Sequence, residues 1–288
     1  MKILFIGTVE FSRRCLRALR AAGHDPDVLT MWEAEGSQRH ADWADLSVGS
    51  PRGVLYEGSL THVKGQYDLA LVCGWSRLLP LDLAPHMVGS HPTLLPKGRG
   101  RHPIPWSILL EGWWSGLTFF RLVEAPDAGP IIWQVPIIIH PRDHAGELYE
   151  QVCTMGETGV VEVVKRIEAG YPDYPQDEAQ ASWWPKRCEE DNRVDWTRAE
   201  TAARLVRAMS RPYGGAWSLP HHANPLLDLP IRWWRVEDWH GKSPIAPPGT
   251  IQHVSEDRIV VATGDGWVAF SQWSLPAGQR CRPGMRLA

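Results

Sequence analysis

Two residues near the middle of the chain are of the right type, in the right setting, to move protons. His91 closes a short apolar run, Met87–Ser90, and Pro92 follows it at once, so its imidazole stands at the end of a predicted strand. Asp127 precedes Ala128-Gly129 in a second loop, between strands predicted over Gly116–Val123 and Ile131–Ile139. An imidazole and a carboxylate that converge make an acid/base pair, because the carboxylate orients the ring and favours its charged form. Each residue also has a plainer reading. A histidine beside a proline is often only a packed structural side chain, and Asp-Ala-Gly is often only a turn.

The surrounding elements say where these two loops fall. Lys2–Gly7 is an apolar run ending in glycine, a buried strand followed by a turn. Phe11–Ala22 carries Cys15, Leu16 and Leu19 at helical spacing, with arginines between them and Gly23 as C-cap. Asp27–Met31 and Asp68–Cys73 read as further strands, Ile104–Glu111 as a helix, and Asp143 as the cap of a helix reaching about Ala169. A β-α-β opening of this kind predicts an α/β fold with a Rossmann-like, doubly wound, mostly parallel sheet. Ligands bind such sheets at the carboxyl ends of the strands, where both loops are placed. After Pro212, five short strands near 216–219, 231–239, 249–254, 258–263 and 267–273 predict a small OB-like β-barrel. The expected organisation is a catalytic domain over 1–170, an extended surface linker over 171–200 and a barrel domain over 201–288.

Composition narrows the function class. The chain has 288 residues, with 30 Lys+Arg against 33 Asp+Glu. A formal charge of −3 argues against a generally basic nucleic-acid binder. No apolar run approaches the ~20 residues of a membrane helix, and the start does not resemble a signal peptide, so a cytoplasmic protein is expected. The five cysteines are scattered and read as reduced structural thiols. The histidines, including His86, His102 and His221-His222, lack metal-ligand spacing, so no metal is expected. Gly7-Thr8 lacks the glycine pattern of a dinucleotide site, which disfavours a dehydrogenase.

Larger stretches add a likeness. "FIGTVEFSRRCLRAL", "SHPTLLPKGRGRHPIPW", "GLTFF", "DAGPII", "RVDW" and "RAMSRPYGGAWS" follow one another in the order of the 10-formyltetrahydrofolate-dependent formyltransferase superfamily. The chain resembles that superfamily over nearly its whole length, and "KGRGRHPIPW" is most similar to its amino-sugar branch. The resemblance implies that 10-formyltetrahydrofolate delivers a formyl group to a primary amine through a tetrahedral oxyanion. It gives His91 the stabilising and proton-supplying role, and gives Asp127 the orienting of His91 and a share in deprotonating the amine. It places the folate against Leu78, Leu79, Pro80 and Arg101 and along the backbone of Val123, Glu124, Ala125, Pro126 and Asp127. Trp75, Ser90 and Lys97 flank the same segment as candidate acceptor contacts. Arg99 and Arg101 suit a diphosphate.

One position departs from the pattern. The superfamily's catalytic Asn lies two residues before the His, and here Gly89 stands there. Losing one such oxyanion donor costs about 2.7–4 kcal/mol. Either Ser90, the Gly89 N–H or water replaces the donor, or glycine makes room for a larger acyl group such as acetyl from acetyl-CoA, or the enzyme is impaired. Over Pro212–Ala288, seven basic residues face six acidic ones, which is poor for holding tRNA phosphates. The expected acceptor is therefore a small amine, most naturally a nucleotide-linked amino sugar. Tryptophans on the barrel suggest a homodimer face.

Overall fold

The computed structural model describes residues 1–30, 54–56, 60–221, 229–243 and 245–288. The chain divides into two compact units. One comprises Met1–Pro103, Trp114–Ile138 and Tyr149–Pro185, the other Ile104–Trp113, Ile139–Leu148 and Lys186–Ala288.

In the first unit β1 (Ile3–Gly7) is buried along its whole length, as a strand covered on both faces requires. α1 (Glu10–Ala21) follows and turns Phe11, Cys15, Leu16 and Leu19 inward, as their spacing predicts. Ser12 ties its start down: its hydroxyl accepts the Thr8 and Val9 N–H groups and donates to the Cys73 carbonyl. β2 (Asp27–Thr30), β3 (Val54–Tyr56), α2 (Leu60–Val63), β4 (Leu69–Cys73) and β5 (His86–His91) come next. Met31, expected to end the second strand, lies outside the described residues. A two-residue strand, β6 (Arg99–Gly100), precedes the hairpin of β7 (Trp114–Arg121) and β8 (Ile131–Ile138); the single turn between them, α3 (Pro103–Trp106), belongs from Ile104 on to the second unit.

The seven-stranded sheet runs β3-β2-β1-β4-β5-β7-β8, parallel as far as β5 and antiparallel beyond. Strand order reverses between β1 and β4, the topological switch beside which open α/β sheets leave a ligand crevice. Leu4, Ile6, Leu29, Ala70, Val72 and Met87 make one buried cluster of this sheet.

One local expectation changes. The helix expected over Ile104–Glu111 is α3 followed by a wider π turn over Ser107–Glu111, closed by the Gly112 N–H on the Ser107 carbonyl. A short apolar pattern does not distinguish an α turn from that wider one. Asp143 stands just before α4 (Ala145–Glu168), in a network that ties down the start of that helix. Its carboxylate accepts the His140 N–H, while Glu147 and Ser210 accept the His144 and Ala145 N–H groups.

Residues 171–200 run largely exposed, anchored at a few buried positions. As far as Pro185 they belong to the first unit, where β9 (Trp183–Trp184) pairs with β6. From Lys186 they belong to the second, where Val194 and Trp196 enter the core.

The second unit holds α5 (Ala199–Met209), β10 (Ala216–Ser218), β11 (Ile231–His240), β12 (Ile251–Val254), β13 (Ile259–Ala262) and β14 (Trp267–Ser274). These five strands form an antiparallel sheet in the order β10-β11-β14-β13-β12. The last residues tie its two edges together: Ala288 and Leu219 exchange backbone hydrogen bonds beyond β10, and Leu287 donates to Gly249 before β12. Trp233 is fully buried at the centre, with ring centroids 4.4 Å from Phe270 and 6.1 Å from Trp196. The described tryptophans of this sheet are buried or half-buried, and Arg193 and Arg211 cover Trp217 and Trp234. The exposed tryptophan face expected there is absent among the described residues.

His144, on the approach to α4, is buried with both nitrogens committed. Nδ1 donates to the Arg142 carbonyl, and Nε2 accepts the Val236 N–H at 3.0 Å, which requires a neutral ring. Burial, then the Arg235 charge, push its pKa down to about 4 against the opposing pull of Glu147. The unfolded chain takes up this proton near the ordinary 6.5, and the folded chain only near 4. Stability is therefore expected to fall as pH drops through that window, by about 3 kcal/mol at its lower end, and to be insensitive to His144 above it. His144→Phe should abolish that component of the pH dependence in urea titrations.

Candidate active site

His91 is the last residue of β5 and stands opposite Thr118 of β7. The chain that leaves it is anchored from the hairpin. Thr118 Oγ1 donates to the Thr93 carbonyl and accepts the Leu95 N–H, and Gln134 Nε2 donates both to that hydroxyl and to the Leu95 carbonyl. The loop so held returns the Gly98 carbonyl to within 2.8 Å of His91 Nε2. A carbonyl only accepts, so Nε2 carries hydrogen and Nδ1 is left to exchange a proton. Nδ1 lies 3.7 Å from Asp127 Oδ1, within ion-pair range and longer than a hydrogen bond.

Asp127 is set by its backbone and its other oxygen. It adopts φ 56°, the left-handed region, at a cost of about 1–2 kcal/mol for a residue with a Cβ. Asp127 Oδ2 accepts the Gly100 N–H at 2.9 Å. Gly100 itself has φ 110°, and a Cβ there would meet the Trp184 carbonyl oxygen at 2.3 Å, so only glycine brings that amide to the carboxylate. His91 is only 5% exposed, whereas the Asp127 side chain keeps 19% of its surface open. The pair is thus a largely desolvated imidazole beside a carboxylate that solvent or a ligand can reach. The two residues expected to converge do so, at a separation that lets a third group hydrogen-bond to both.

The residues matched to the folate surround this end of the sheet. Leu78 is 91% exposed, and Pro80 is exposed too. Leu79 packs with Trp75 and Leu122 against the buried cluster. Arg101 Nη1 donates to the Ser76 carbonyl, which joins its loop to the one carrying Leu78. Val123, Glu124, Ala125 and Pro126 are exposed on the other side. Of the acceptor candidates, Lys97 is exposed, Ser90 directs its hydroxyl to the Val72 carbonyl at 3.5 Å, and Trp75 Nε1 is buried without a hydrogen-bond partner. Arg99 is not available for a diphosphate: it is 2% exposed and committed to Gln176 and Glu178.

Gly89 opens no room. A Cβ at this position would lie 2.5 Å from Leu122 Cδ2 and 3.2 Å from Phe120 Cζ, so the volume of a side chain is already filled. This packing lends no support to the expectation that glycine makes space for a larger acyl group. Gly89→Asn is expected to destabilise the protein by about 1–3 kcal/mol through overpacking, without raising turnover by itself. Adding Leu122→Ala should recover much of that loss, which thermal unfolding of the three variants would measure.

Sequence reasoning passed over Gln176, Ser182 and Trp184. Gln176 Nε2 donates to the Asp127 and Gly129 carbonyls, and Ser182 Oγ accepts the Gly98 N–H. They lie in a Pro-rich stretch without periodicity, and the only signal within reach was the need of Gly98 and Gly100 for a close neighbour.

Comparison with known proteins agrees with this architecture. The profile described as "Formyl transferase" matches residues 59–164, and "Formyl transferase, C-terminal domain" matches 188–284. The methionyl-tRNA formyltransferase of Thiobacillus denitrificans is 30% identical over 300 residues, covering 97% of this chain and 94% of that one. That of Janthinobacterium is 29% identical over 306 residues, with the same coverage. Among solved structures, HypX from Aquifex aeolicus in complex with tetrahydrofolic acid superposes with TM-score 0.71 at 20% identity; 95% of this chain is matched, spanning 44% of HypX. The N-formyltransferase from Helicobacter canadensis, in complex with folinic acid and dTDP-3-aminofucose, gives TM-score 0.68 at 15% identity over 95% of this chain and all of that one. The last two share the fold. With matched profiles on both parts of the chain and relatives matched end to end, this protein belongs to the formyl transferase family and is an enzyme of formyl transfer.

Proposed function

We propose that the protein transfers a formyl group from 10-formyltetrahydrofolate to the primary amine of a small acceptor, a nucleotide-linked amino sugar. The observation that carries this reading is the 3.7 Å gap between His91 Nδ1 and Asp127 Oδ1 at the carboxyl end of β5. The donor, when bound, supplies an electrophilic formyl carbon. The residues around the gap suit it: exposed Leu78 and Pro80 offer an apolar cover, and the open backbone of 123–126 offers hydrogen-bonding groups to a heterocycle edge.

An incoming ammonium fits between Nδ1 and Oδ1, where both atoms accept. Asp127 holds its positive charge, and His91 Nδ1 takes the proton that must leave before nitrogen can act as a nucleophile. The resulting imidazolium, hydrogen-bonded through Nε2 to Gly98, can return that proton to the leaving nitrogen, while the second proton that the attacking nitrogen loses on becoming an amide passes to Asp127 and from its open side to solvent. Burial of His91 keeps water from competing for it.

The second unit favours a small acceptor over tRNA. Of its seven basic residues after Pro212, three are paired with carboxylates: Arg232 with Glu189 at 2.8 Å, Arg235 with Glu147 at 2.7 Å and Arg258 with Glu237 at 3.3 Å. Phosphate binding needs clustered, available cations. The methionyl-tRNA formyltransferase relatives are the specific reason to keep tRNA as the second reading. An acetyl donor is disfavoured by the filled space at Gly89. The tail-bridged five-stranded sheet is best read as an OB-like barrel, and five free thiols suit a reducing, cytoplasmic setting.

The test is incubation of the full chain with 10-formyltetrahydrofolate and, separately, dTDP- and UDP-linked amino sugars and methionyl-tRNA, with a parallel acetyl-CoA arm. Mass gain of CO on an amino sugar is expected. Gain on methionyl-tRNA alone would replace the acceptor, gain of C2H2O would replace the donor, and no gain in any arm would overturn the reading.

A further inference from the structure

The segment from Tyr174 to Trp184 lies behind the acid/base pair and touches both loops that form it. Tyr174 and Ile131 exchange backbone hydrogen bonds at the start of β8. Ser182 accepts the Arg99 N–H through its carbonyl and the Gly98 N–H through its hydroxyl, and donates its own N–H to Pro96. The Trp184 carbonyl accepts the Arg101 N–H. Between these backbone ties sits one side chain that reaches the Asp127 loop.

Gln176 has every hydrogen-bonding atom of its carboxamide in use. Oε1 accepts from Arg99 Nε at 3.1 Å and Nη2 at 2.7 Å. Nε2 donates to the Asp127 carbonyl at 2.9 Å and to the Gly129 carbonyl at 2.7 Å. The orientation of the amide is therefore determined: a guanidinium only donates, so oxygen must face Arg99, and the two carbonyls only accept, so nitrogen must face them. Arg99 is held in turn by Glu178, which takes Nη1 at 2.8 Å and Nη2 at 2.6 Å. Glu178 is largely exposed, while Arg99 is 2% exposed and spans the distance between them. Arg99 holds the Glu178 carboxyl below its usual range.

We infer that Gln176 is a positioning residue for Asp127: clamped by Arg99, it pins the carbonyls on either side of Ala128 and so fixes the left-handed backbone from which the Asp127 carboxylate meets Gly100 and faces His91. This inference rests on the proposed role of the His91–Asp127 pair. A relaxed 127–129 turn would let the carboxylate drift from Nδ1, and a misplacement of about 1 Å at reacting groups costs up to roughly 100-fold in rate. A side chain that merely filled space would be replaceable by any of similar volume. Gln176→Glu keeps the shape but turns an acceptor toward the two carbonyls, and Gln176→Met keeps the volume without donors.

The experiment uses the full chain and two independent readouts. The first is hydrogen exchange of the Gly100 amide and of residues 122–129, which reports the loop without turnover. The second is kcat and KM for formyl transfer. Gln176→Glu and Gln176→Met are both expected to accelerate that exchange and to lower kcat by roughly 10- to 100-fold with KM little changed. In an Asp127→Asn background the same substitutions should add no further loss, as expected when one group acts through another. Glu178→Gln, on the surface, should give a smaller loss in the same direction. Unchanged exchange with unchanged kcat, or an equal loss in the Asp127→Asn background, overturns the inference. Accelerated exchange in the Gln176 variants, with no formyl transfer by the wild-type protein, overturns the functional reading and leaves the structural role of Gln176 standing.

Discussion

His91→Ala is expected to lower kcat by roughly 10²–10⁴-fold, the range for a positioned general acid–base, with little effect on the fold. The ring is buried, but its loss need not undo the loop, because Thr118, Gln134 and Ser182 hold Leu95, Thr93 and Gly98 without it. His91→Gln separates two components. A glutamine amide can still donate to the Gly98 carbonyl, but it takes up no proton. If the ring serves only as a strut, His91→Gln restores rate; if proton transfer at Nδ1 is the function, it stays as slow as alanine. Steady-state kinetics beside thermal unfolding of both variants would decide, and a fully active His91→Ala would remove this residue from the chemistry.

The largest effect on stability is expected from Trp233→Ala. This ring is fully buried, packs against Phe270 and Trp196, and donates its indole N–H to Ser218 Oγ at 2.8 Å. Removing it leaves a cavity and an unpaired hydroxyl at the centre of the five-stranded sheet, a loss of about 3–5 kcal/mol. Against a typical domain stability of about 5–15 kcal/mol, that is enough to unfold much of the second unit at growth temperature. Chemical denaturation should show the midpoint of one transition falling sharply. Trp233→Phe, which keeps a ring but no donor, should lose distinctly less.

The parts of this molecule that could be read in advance are those whose signal is local. Ile3–Gly7, Leu69–Cys73 and Met87–Ser90 are contiguous apolar runs, so the parallel sheet and the placement of His91 at a strand end followed from them. The five strands after Pro212 were legible from turn-bounded β-rich runs for the same reason. What stayed hidden depends on neighbours distant in sequence. That Leu122, on the chain leaving the adjacent strand, stands where a side chain at Gly89 would begin carries no signal in the sequence around Gly89. Arg99 read as a phosphate ligand because nothing near it in sequence is acidic, yet its partners stand 77 and 79 residues away. Residues 174–184 read as linker because backbone ties to Pro96, Gly98 and Arg101 impose no periodicity on their side chains.

The pairing of β6 with β9 bears on how the polypeptide should be cut and on when its parts ripen. A fragment ending at Gly170, after the long helix, would own the imidazole and the carboxylate yet lack the strip that braces both loops. During synthesis the same holds: catalytic geometry waits until the stretch as far as Pro185 has left the ribosome. Grafts, split reporters and minimal versions of the amino-terminal half should therefore be severed beyond that proline.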